Sequence, residues 1–212
     1  MRVLFLGNHT VGVRTVEAIA EMAEVAGVVA HPPDPEDGDR YLSLFDHAVK
    51  RGWKAIRARG KDPELVSFIE DLSPDMLWVT DYRYLLPPDC LRMAPLGAVN
   101  LHPSLLPLYR GRAPLNWAIL NGERDFGLTA HFIDEGPDTG DIIHQLGFTL
   151  QETQDVGDAL ELLYPMYDET ARTVMGYFIK GEVPRTPQHR DGYPVWPARR
   201  PQDGLIDWNE PA

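Results

Sequence analysis

The 212-residue chain has 43% apolar residues and a formal net charge of −12, values that suit one globular domain with a sizeable core. The acidic balance disfavours nucleic acid as a partner, because phosphate backbones are held mainly by clustered lysines and arginines. No stretch approaches the ~20 consecutive apolar residues of a membrane-spanning helix. The lone Cys90, beside Asp89, excludes an internal disulfide. We interpret it as a buried packing residue and expect a reducing, cytoplasmic location.

Apolar runs alternate with helical patterns through the first half of the chain. Residues 2–6, 25–30, 55–56, 76–79 and 98–101 predict strands, and residues 13–22, 41–51 and 63–71 predict helices, the last with Asp62 as N-cap. A polar, proline-rich loop is expected over residues 31–39. This alternation is typical of an α/β fold with a largely parallel sheet.

The second half of the chain predicts a hairpin and then a long helix. Two strand-like runs around residues 134–141 would add a pair of strands to the sheet. A helix is expected over residues 156–179, with Asp155 as its N-cap and a kink at Pro165.

The C-terminal segment is rich in proline. Six prolines follow residue 181 and exclude a continuous helix there. We expect residues 181–212 to form an extended arm that packs Tyr193, Trp196 and Trp208 onto a domain of residues 1–180.

Asn100 and His102 stand at the end of a predicted strand, just before Pro103. Successive side chains of a strand point to opposite faces, so these two project together. A carboxamide beside an imidazole suits acyl chemistry, because one group can donate to an oxyanion and the other can move a proton. The alternative is structural, since both side chains could satisfy the backbone of the following loop.

An acidic loop provides a second group of candidate residues. It holds Asp134, Glu135, Asp138 and Asp141 between the two strand-like runs. Such a loop could bring one carboxylate onto the imidazole of His102 and fix its tautomer and charge. A divalent cation on these oxygens is the alternative, but the spacing matches no EF-hand loop and no Cys/His pair suits zinc. We therefore expect no metal.

Two further features are interpreted as structural. Residues 7–12 lie where a phosphate-binding loop would stand, but they lack the third glycine of a dinucleotide fingerprint and the lysine of a P-loop. A strand-to-helix turn is the simpler interpretation, although a helix N-terminus there could still accept phosphate. His131 and His144 lie in the strand-like runs, and we expect packing or surface positions for both.

Three motifs together resemble those of the folate-dependent formyltransferases. They are Asn-x-His-x-Ser-Leu-Leu-Pro at residues 100–107, Arg-Gly-x-x-Pro at 110–114 and Asp-x-Gly-x-Asp-Thr-Gly-Asp at 134–141. The family includes methionyl-tRNA formyltransferase, glycinamide ribonucleotide formyltransferase and the sugar-nucleotide N-formyltransferases. The resemblance covers most of the chain and implies a Rossmann-like fold. It also implies that Asn100, His102 and Asp138 occupy the family's catalytic positions.

The resemblance implies 10-formyltetrahydrofolate as the formyl donor, with no metal. In relatives the folate ring contacts loop main chain, and the matching positions here are Tyr84, Leu85, Leu86, Asp134 and Gly136. The two leucines would give apolar walls to the ring. Ser104 would shape the loop beside the catalytic pair, and Arg112 is a candidate contact for the acceptor.

The acceptor is expected to be a small amine. Residues 110–117 and 200–208 look most like enzymes that formylate 4-amino-4-deoxy-arabinose or other aminosugars on a nucleotide. One or two arginines can hold the diphosphate of such a substrate. The alternatives are the catalytic domain of a methionyl-tRNA formyltransferase, a glycinamide ribonucleotide enzyme and a non-catalytic folate- or nucleotide-binding module. In many relatives a barrel-like domain follows the arm, so the chain is either a minimal enzyme or an excised domain.

Overall fold

A seven-stranded sheet forms the centre of the protein. The computed structural model describes residues 1–33, 41–189 and 191–205. Seven strands form the sheet: β1 (Arg2–Gly7), β2 (Glu24–Ala30), β3 (Ala55–Arg57), β4 (Met76–Thr80), β5 (Ala98–His102), β7 (Asp125–Phe132) and β8 (Ile142–Thr149). Two short strands, β6 (Arg110–Gly111) and β9 (Val195–Trp196), pair with each other in a second sheet. The order in the sheet is β3-β2-β1-β4-β5-β7-β8. The first five strands are parallel, whereas β7 and β8 are antiparallel.

Helices cover both faces of this sheet. They are α1 (His9–Ala20), α2 (Leu44–Lys50), α3 (Pro63–Leu72), α4 (Pro88–Arg92), α5 (Pro114–Leu120) and α6 (Val156–Lys180), with a 3-10 helix over Pro201–Gly204. Apolar residues of α1, α2, α5 and α6 join one core cluster, and those of α3 and α4 join the other. The predicted Rossmann-like α/β fold is therefore confirmed. Within the described ranges, no helix is long and apolar enough to cross a membrane.

The longest helix, α6, begins and ends as its sequence dictates. The Asp155 carboxylate accepts the N–H groups of Gly157 and Asp158, and the Asp158 carboxylate accepts the Asp155 N–H. This capping box satisfies donors that the first turn leaves without helical partners. Gly181 ends the helix in a left-handed conformation (φ 73) that glycine adopts without a Cβ clash.

Two predicted helices have other bounds in the structure. α1 covers His9–Ala20 rather than residues 13–22, because the apolar spacing that predicted it starts at Val13 and its first turn carries only one apolar residue, Val11. α2 covers residues 44–50 only. Its start is set by Ser43, whose hydroxyl accepts the Asp46 N–H.

Other local predictions fare differently. Asp62 is the N-cap residue of α3, as predicted, but its carboxylate accepts the Arg59 N–H at 2.7 Å and makes no capping hydrogen bond to the helix. The short helices α4 and α5 were not predicted, because five and seven residues give too little periodicity. Of the proline-rich loop, residues 34–40 lie outside the described ranges.

The C-terminal arm packs along the domain. β9 pairs in parallel with β6, and the ring of Trp196 lies 5.5 Å from that of Tyr109 and 4.9 Å from that of Trp117. The predicted packing is therefore observed for Trp196. Tyr193 remains 37% exposed, and Trp208 lies outside the described residues.

Gly7 offers a test of how tightly the central strands approach. A Cβ at Gly7 would lie 2.4 Å from the carbonyl oxygen of Thr80, its partner on β4. Gly7→Ala should therefore destabilise the protein by roughly 1–3 kcal/mol, the usual cost of overpacking. Gly176, inside α6, has nothing within 4 Å of its Cβ position, so Gly176→Ala should stabilise by roughly 0.5–1 kcal/mol. Urea denaturation of both variants measures the difference, and equal effects would contradict the packing argument.

Candidate active site

The candidate site lies at the carboxyl end of β5, near the middle of the sheet. Asn100 and His102 alternate with the buried Leu101, so both project from the same face of the strand. The register places Asn100 opposite His131 of β7. Polar side chains from two neighbouring strands therefore meet at one point.

His102 is held by a backbone carbonyl on one side and a carboxylate on the other. Its Nε2 lies 2.9 Å from the Tyr109 carbonyl oxygen. Because a carbonyl can only accept, Nε2 carries the hydrogen and Nδ1 is left as the basic nitrogen of the neutral ring. Nδ1 lies 3.6 Å from Oδ2 of Asp138. A proton that arrives at Nδ1 would therefore be stabilised by the carboxylate.

Asp138 adopts a left-handed conformation, with φ 53. Non-glycine residues rarely adopt this conformation, and local contacts must hold it. The carboxylate accepts the Gly111 N–H at 2.9 Å. Its other oxygen lies 3.4 Å from the amide nitrogen of Asn100 and 3.5 Å from Nε2 of His131. The aspartate thus joins residues from three separate segments.

His131 belongs to this group, in place of the packing or surface position predicted for it. Its Nδ1 donates to the Phe132 carbonyl at 2.7 Å, which leaves Nε2 to accept the amide of Asn100 at 3.2 Å. The second amide hydrogen of Asn100 faces Asp138 over the longer 3.4 Å contact. An oxyanion could take over that weaker contact while His131 keeps the amide oriented. His131 could have been identified from its position opposite Asn100 on the neighbouring strand, but that position is known only from the strand register.

Gln188, on the C-terminal arm, was also missed. Its side-chain amide donates to the carbonyl oxygens of Asp138 at 3.2 Å and of Gly140 at 2.6 Å. Next to it, Thr186 and Ile142 exchange two backbone hydrogen bonds. The arm therefore fixes the loop that carries Asp138, and no local sequence pattern marks Gln188 for that task.

Burial and charge set the protonation of the pair. Burial opposes ionisation of Asp138, but His102, His131 and the Gly111 N–H outweigh it and hold the pKa of this carboxyl well below its usual range. Burial lowers the pKa of the His102 imidazole, and the Asp138 carboxylate and the Tyr109 carbonyl offset only part of that effect. Near neutral pH the pair is therefore a carboxylate beside a neutral imidazole that can accept a proton.

A cavity of about 730 Å³ opens in front of these residues. Asn100, His102 and Asp138 all line it, as do three other predicted site residues, Tyr84, Leu85 and Arg112. The side chain of Leu85 is 78% exposed, so it forms an open apolar wall. The cavity thus joins the predicted catalytic group to part of the predicted binding surface.

The other predicted binding residues do not line the cavity and instead make contacts within the protein. Leu86 packs against the second core cluster, and the hydroxyl of the buried Ser104 donates to the Leu108 carbonyl. The Asp134 carboxylate accepts the Gly136 N–H and the Thr139 hydroxyl. These contacts shape the two loops beside the site. The described residues contain no group of three or more metal-ligating side chains arranged around one point.

The chain shares a family of known sequences over most of its length. The formyl transferase family profile matches residues 1–162. The chain belongs to the formyltransferase family. Over its whole length it is 32% identical to the methionyl-tRNA formyltransferase of Clostridioides difficile (strain 630), and it covers 70% of that protein. It is therefore, by family, a folate-dependent formyl-transfer enzyme.

Solved structures of formyltransferases share the fold. Phosphoribosylglycinamide formyltransferase from Bacillus halodurans superposes with a TM-score of 0.74 at 22% identity, over 86% of this chain and 97% of that one. An N-formyltransferase from Helicobacter canadensis, solved with folinic acid and dTDP-3-aminofucose, gives 0.70 at 20% identity, over 99% of this chain and 73% of that one. Both comparisons support the Rossmann-like architecture of this formyltransferase.

Removing any member of the candidate catalytic group should lower formyl transfer sharply. Alanine at Asn100, His102 or Asp138 is expected to reduce kcat by about 100-fold or more, the usual scale for an oxyanion donor or acid–base group. His144→Ala, on β8 outside the cavity, is the matched control and should turn over like the wild type. Steady-state kinetics and a thermal melt of each variant separate catalysis from folding. Wild-type turnover by Asp138→Ala would refute the group.

The pH profile should reveal the basic His102. Because the neutral ring accepts the proton, kcat should be sustained above the pKa of His102 and fall as pH drops through it, below the ordinary histidine value of about 6.5. Asp138 favours the protonated ring, so Asp138→Asn should move this acid limb to still lower pH as well as reduce kcat. A limb that moves upward, or stays in place, would contradict the assignment.

Proposed function

We propose that this formyltransferase moves a formyl group from 10-formyltetrahydrofolate to the primary amine of an aminosugar nucleotide. The observation that supports it best is the cavity that Asn100, His102 and Asp138 share with Arg112 and Arg199. The first three residues suit acyl transfer to an amine. The arginines suit a diphosphate attached to that amine's sugar.

The chemistry follows from the protonation of the pair. The neutral amine attacks the formyl carbon, a C–N bond forms, and the carbonyl oxygen becomes an oxyanion that accepts the amide of Asn100. The ammonium nitrogen gives a proton to Nδ1 of His102, and the imidazolium is stabilised by Asp138. The bond from carbon to N10 of the folate then breaks, and the proton passes to the N10 leaving group. Tetrahydrofolate and a formamide are the products.

The donor's ring system would enter beside the loop that follows β4. Tyr84 and Leu85 of that loop line the cavity. Two contacts fix the loop. The Tyr82 hydroxyl donates to the Ala58 carbonyl at 2.8 Å. The Leu85 carbonyl oxygen packs closely against Gly60, since a Cβ at residue 60 would lie 2.0 Å from that oxygen. A rigid loop with an exposed apolar side chain suits a flat ring held partly by main-chain groups.

The acceptor's diphosphate would lie near the C-terminal arm. Arg112 is held at its backbone, where its N–H donates to the Trp196 carbonyl at 2.9 Å. Arg199 lies with its guanidinium 5.0 Å from the ring centroid of Trp117 and donates to the Asp203 carbonyl. Two anchored arginines can hold one diphosphate, whereas the net charge of −12 suits a long phosphate backbone poorly.

Methionyl-tRNA is the second candidate acceptor. The 32% identity to a methionyl-tRNA formyltransferase over the whole chain favours it. The aminosugar ligand of the structurally similar Helicobacter canadensis protein favours the first candidate. Both acceptors present a primary amine, so the same proton transfers would serve either one.

A panel of acceptors tests the proposal. We expect formylation of UDP-4-amino-4-deoxy-L-arabinose or dTDP-3-aminofucose, and much slower reaction with methionyl-tRNA or glycinamide ribonucleotide. A nucleotide-sugar reaction should depend weakly on salt, because few phosphates are contacted, whereas tRNA binding should weaken steeply. Formylated product is measured by mass spectrometry. Efficient reaction with methionyl-tRNA and none with either aminosugar would refute the proposal.

A substitution at Arg112 tests the proposed contact with the acceptor's diphosphate. Arg112→Ala should raise the KM for an aminosugar nucleotide by about tenfold, the scale of one lost charge-assisted hydrogen bond. Arg124, which donates to the Gln151 carbonyl outside the cavity, provides the matched loss of one positive charge. Equal effects of Arg112→Ala and Arg124→Ala would show that net charge, not a contact, is responsible.

A further inference from the structure

A second pair of histidine and carboxylate lines the same cavity. Nδ1 of His9 lies 2.7 Å from Oδ2 of Asp81, and the two side chains are 16% and 37% exposed. The formyl-transfer steps leave this pair without a role.

Both residues adopt left-handed backbone conformations, with φ 56 at His9 and φ 58 at Asp81. Each lies just beyond the carboxyl end of a strand, and the two strands, β1 and β4, are paired neighbours. Non-glycine residues in this conformation are uncommon, and they cluster at ligand sites where the surroundings hold them. Two of them, joined by a hydrogen bond at one cavity wall, therefore point to a ligand.

The sheet order gives the distance from the catalytic group. β4 lies between β1 and β5, and neighbouring strands are about 4.8 Å apart. Asp81 follows the strand next to that of His102, and His9 follows the strand beyond it. The strands that lead to Asp81 and His9 thus lie one and two spacings from β5 across the sheet, roughly 5 and 10 Å. This span matches a single sugar ring whose amine lies at His102.

The chemistry of the surrounding side chains suits hydroxyl groups. The Asp81 carboxylate can only accept hydrogen bonds, whereas the phenols of Tyr164 and Tyr167, which also line the cavity, can donate. The ring of Tyr41 lies 4.4 Å from that of His9 and adds an aromatic face. A phosphate would be attracted to the start of α1 but repelled by the carboxylate of Asp81.

We propose that Asp81 and His9 bind the hydroxyl groups of the acceptor's sugar ring, so that this wall of the cavity is a sugar subsite. The inference rests on the proposed function, which supplies the aminosugar. It extends that function by assigning residues that select a sugar over an acceptor without one. The diphosphate would then lie on the side of Arg112 and Arg199.

Binding measurements on the full chain test the subsite without relying on turnover. The probes are UDP-4-amino-4-deoxy-L-arabinose and dTDP-3-aminofucose, each compared with UDP or dTDP alone by calorimetry. Asp81→Asn removes the carboxylate but keeps a residue that tolerates left-handed backbone. It should weaken the bound sugar nucleotide by about tenfold or more, the scale of a lost charged hydrogen bond. Binding of the nucleoside diphosphate should change less than twofold.

A matched control and a second variant complete the experiment. Asp89→Asn makes the same change of charge on α4, outside the cavity, and should leave both kinds of ligand bound as in the wild type. His9→Asn should act like Asp81→Asn, and it provides the test if that variant does not fold in a thermal melt.

The outcomes separate this inference from the proposed function. Equal weakening of sugar nucleotide and nucleoside diphosphate by Asp81→Asn, or no weakening of either, would overturn the subsite. The same holds if the wild type binds the sugar nucleotides no more tightly than UDP or dTDP. Sugar-specific binding that Asp81→Asn weakens, without formyl transfer to either sugar, would refute the proposed function and leave the subsite standing.

Discussion

The position of one buried carboxylate is the constraint on which the site depends. Asp138 is held in a left-handed conformation that its own backbone disfavours. The Gly111 N–H binds its carboxylate and Gln188 binds its carbonyl oxygen, so two distant segments keep it there. The C-terminal arm links both segments, since β9 pairs with β6 at Gly111. The arm thus helps to position the candidate catalytic group.

That constraint also sets the electrostatics of the site. An ionised Asp138 lies beside a buried His102 whose Nε2 is committed to the Tyr109 carbonyl. Burial disfavours charge on the ring, whereas the carboxylate favours it. The ring is consequently neutral before reaction and well stabilised after it gains a proton at Nδ1. An amine nucleophile that must lose a proton requires this kind of partner.

The sheet explains how residues remote in sequence share one cavity. In a parallel α/β sheet the carboxyl ends of neighbouring strands meet at one edge, where ligands bind. Here β1, β4 and β5 bring His9, Asp81 and His102 to that edge. The arm then closes another side of the cavity with Trp196 and Arg199. The proposed donor loop, the candidate catalytic group and the proposed acceptor walls therefore line one cavity.

Sequence patterns alone determined the α/β alternation and the shared face of Asn100 and His102, because both follow from the periodicity of side chains along a helix or strand. The motif resemblance added Asp138. Only the tertiary structure decided which side chains meet across segments. It brought His131 and Gln188 to the catalytic group. It also directed the predicted binding residues Leu86, Ser104, Asp134 and Gly136 into packing or loop contacts. Local periodicity encodes the face of an element, whereas strand register and loop conformation arise from long-range contacts that no local pattern records.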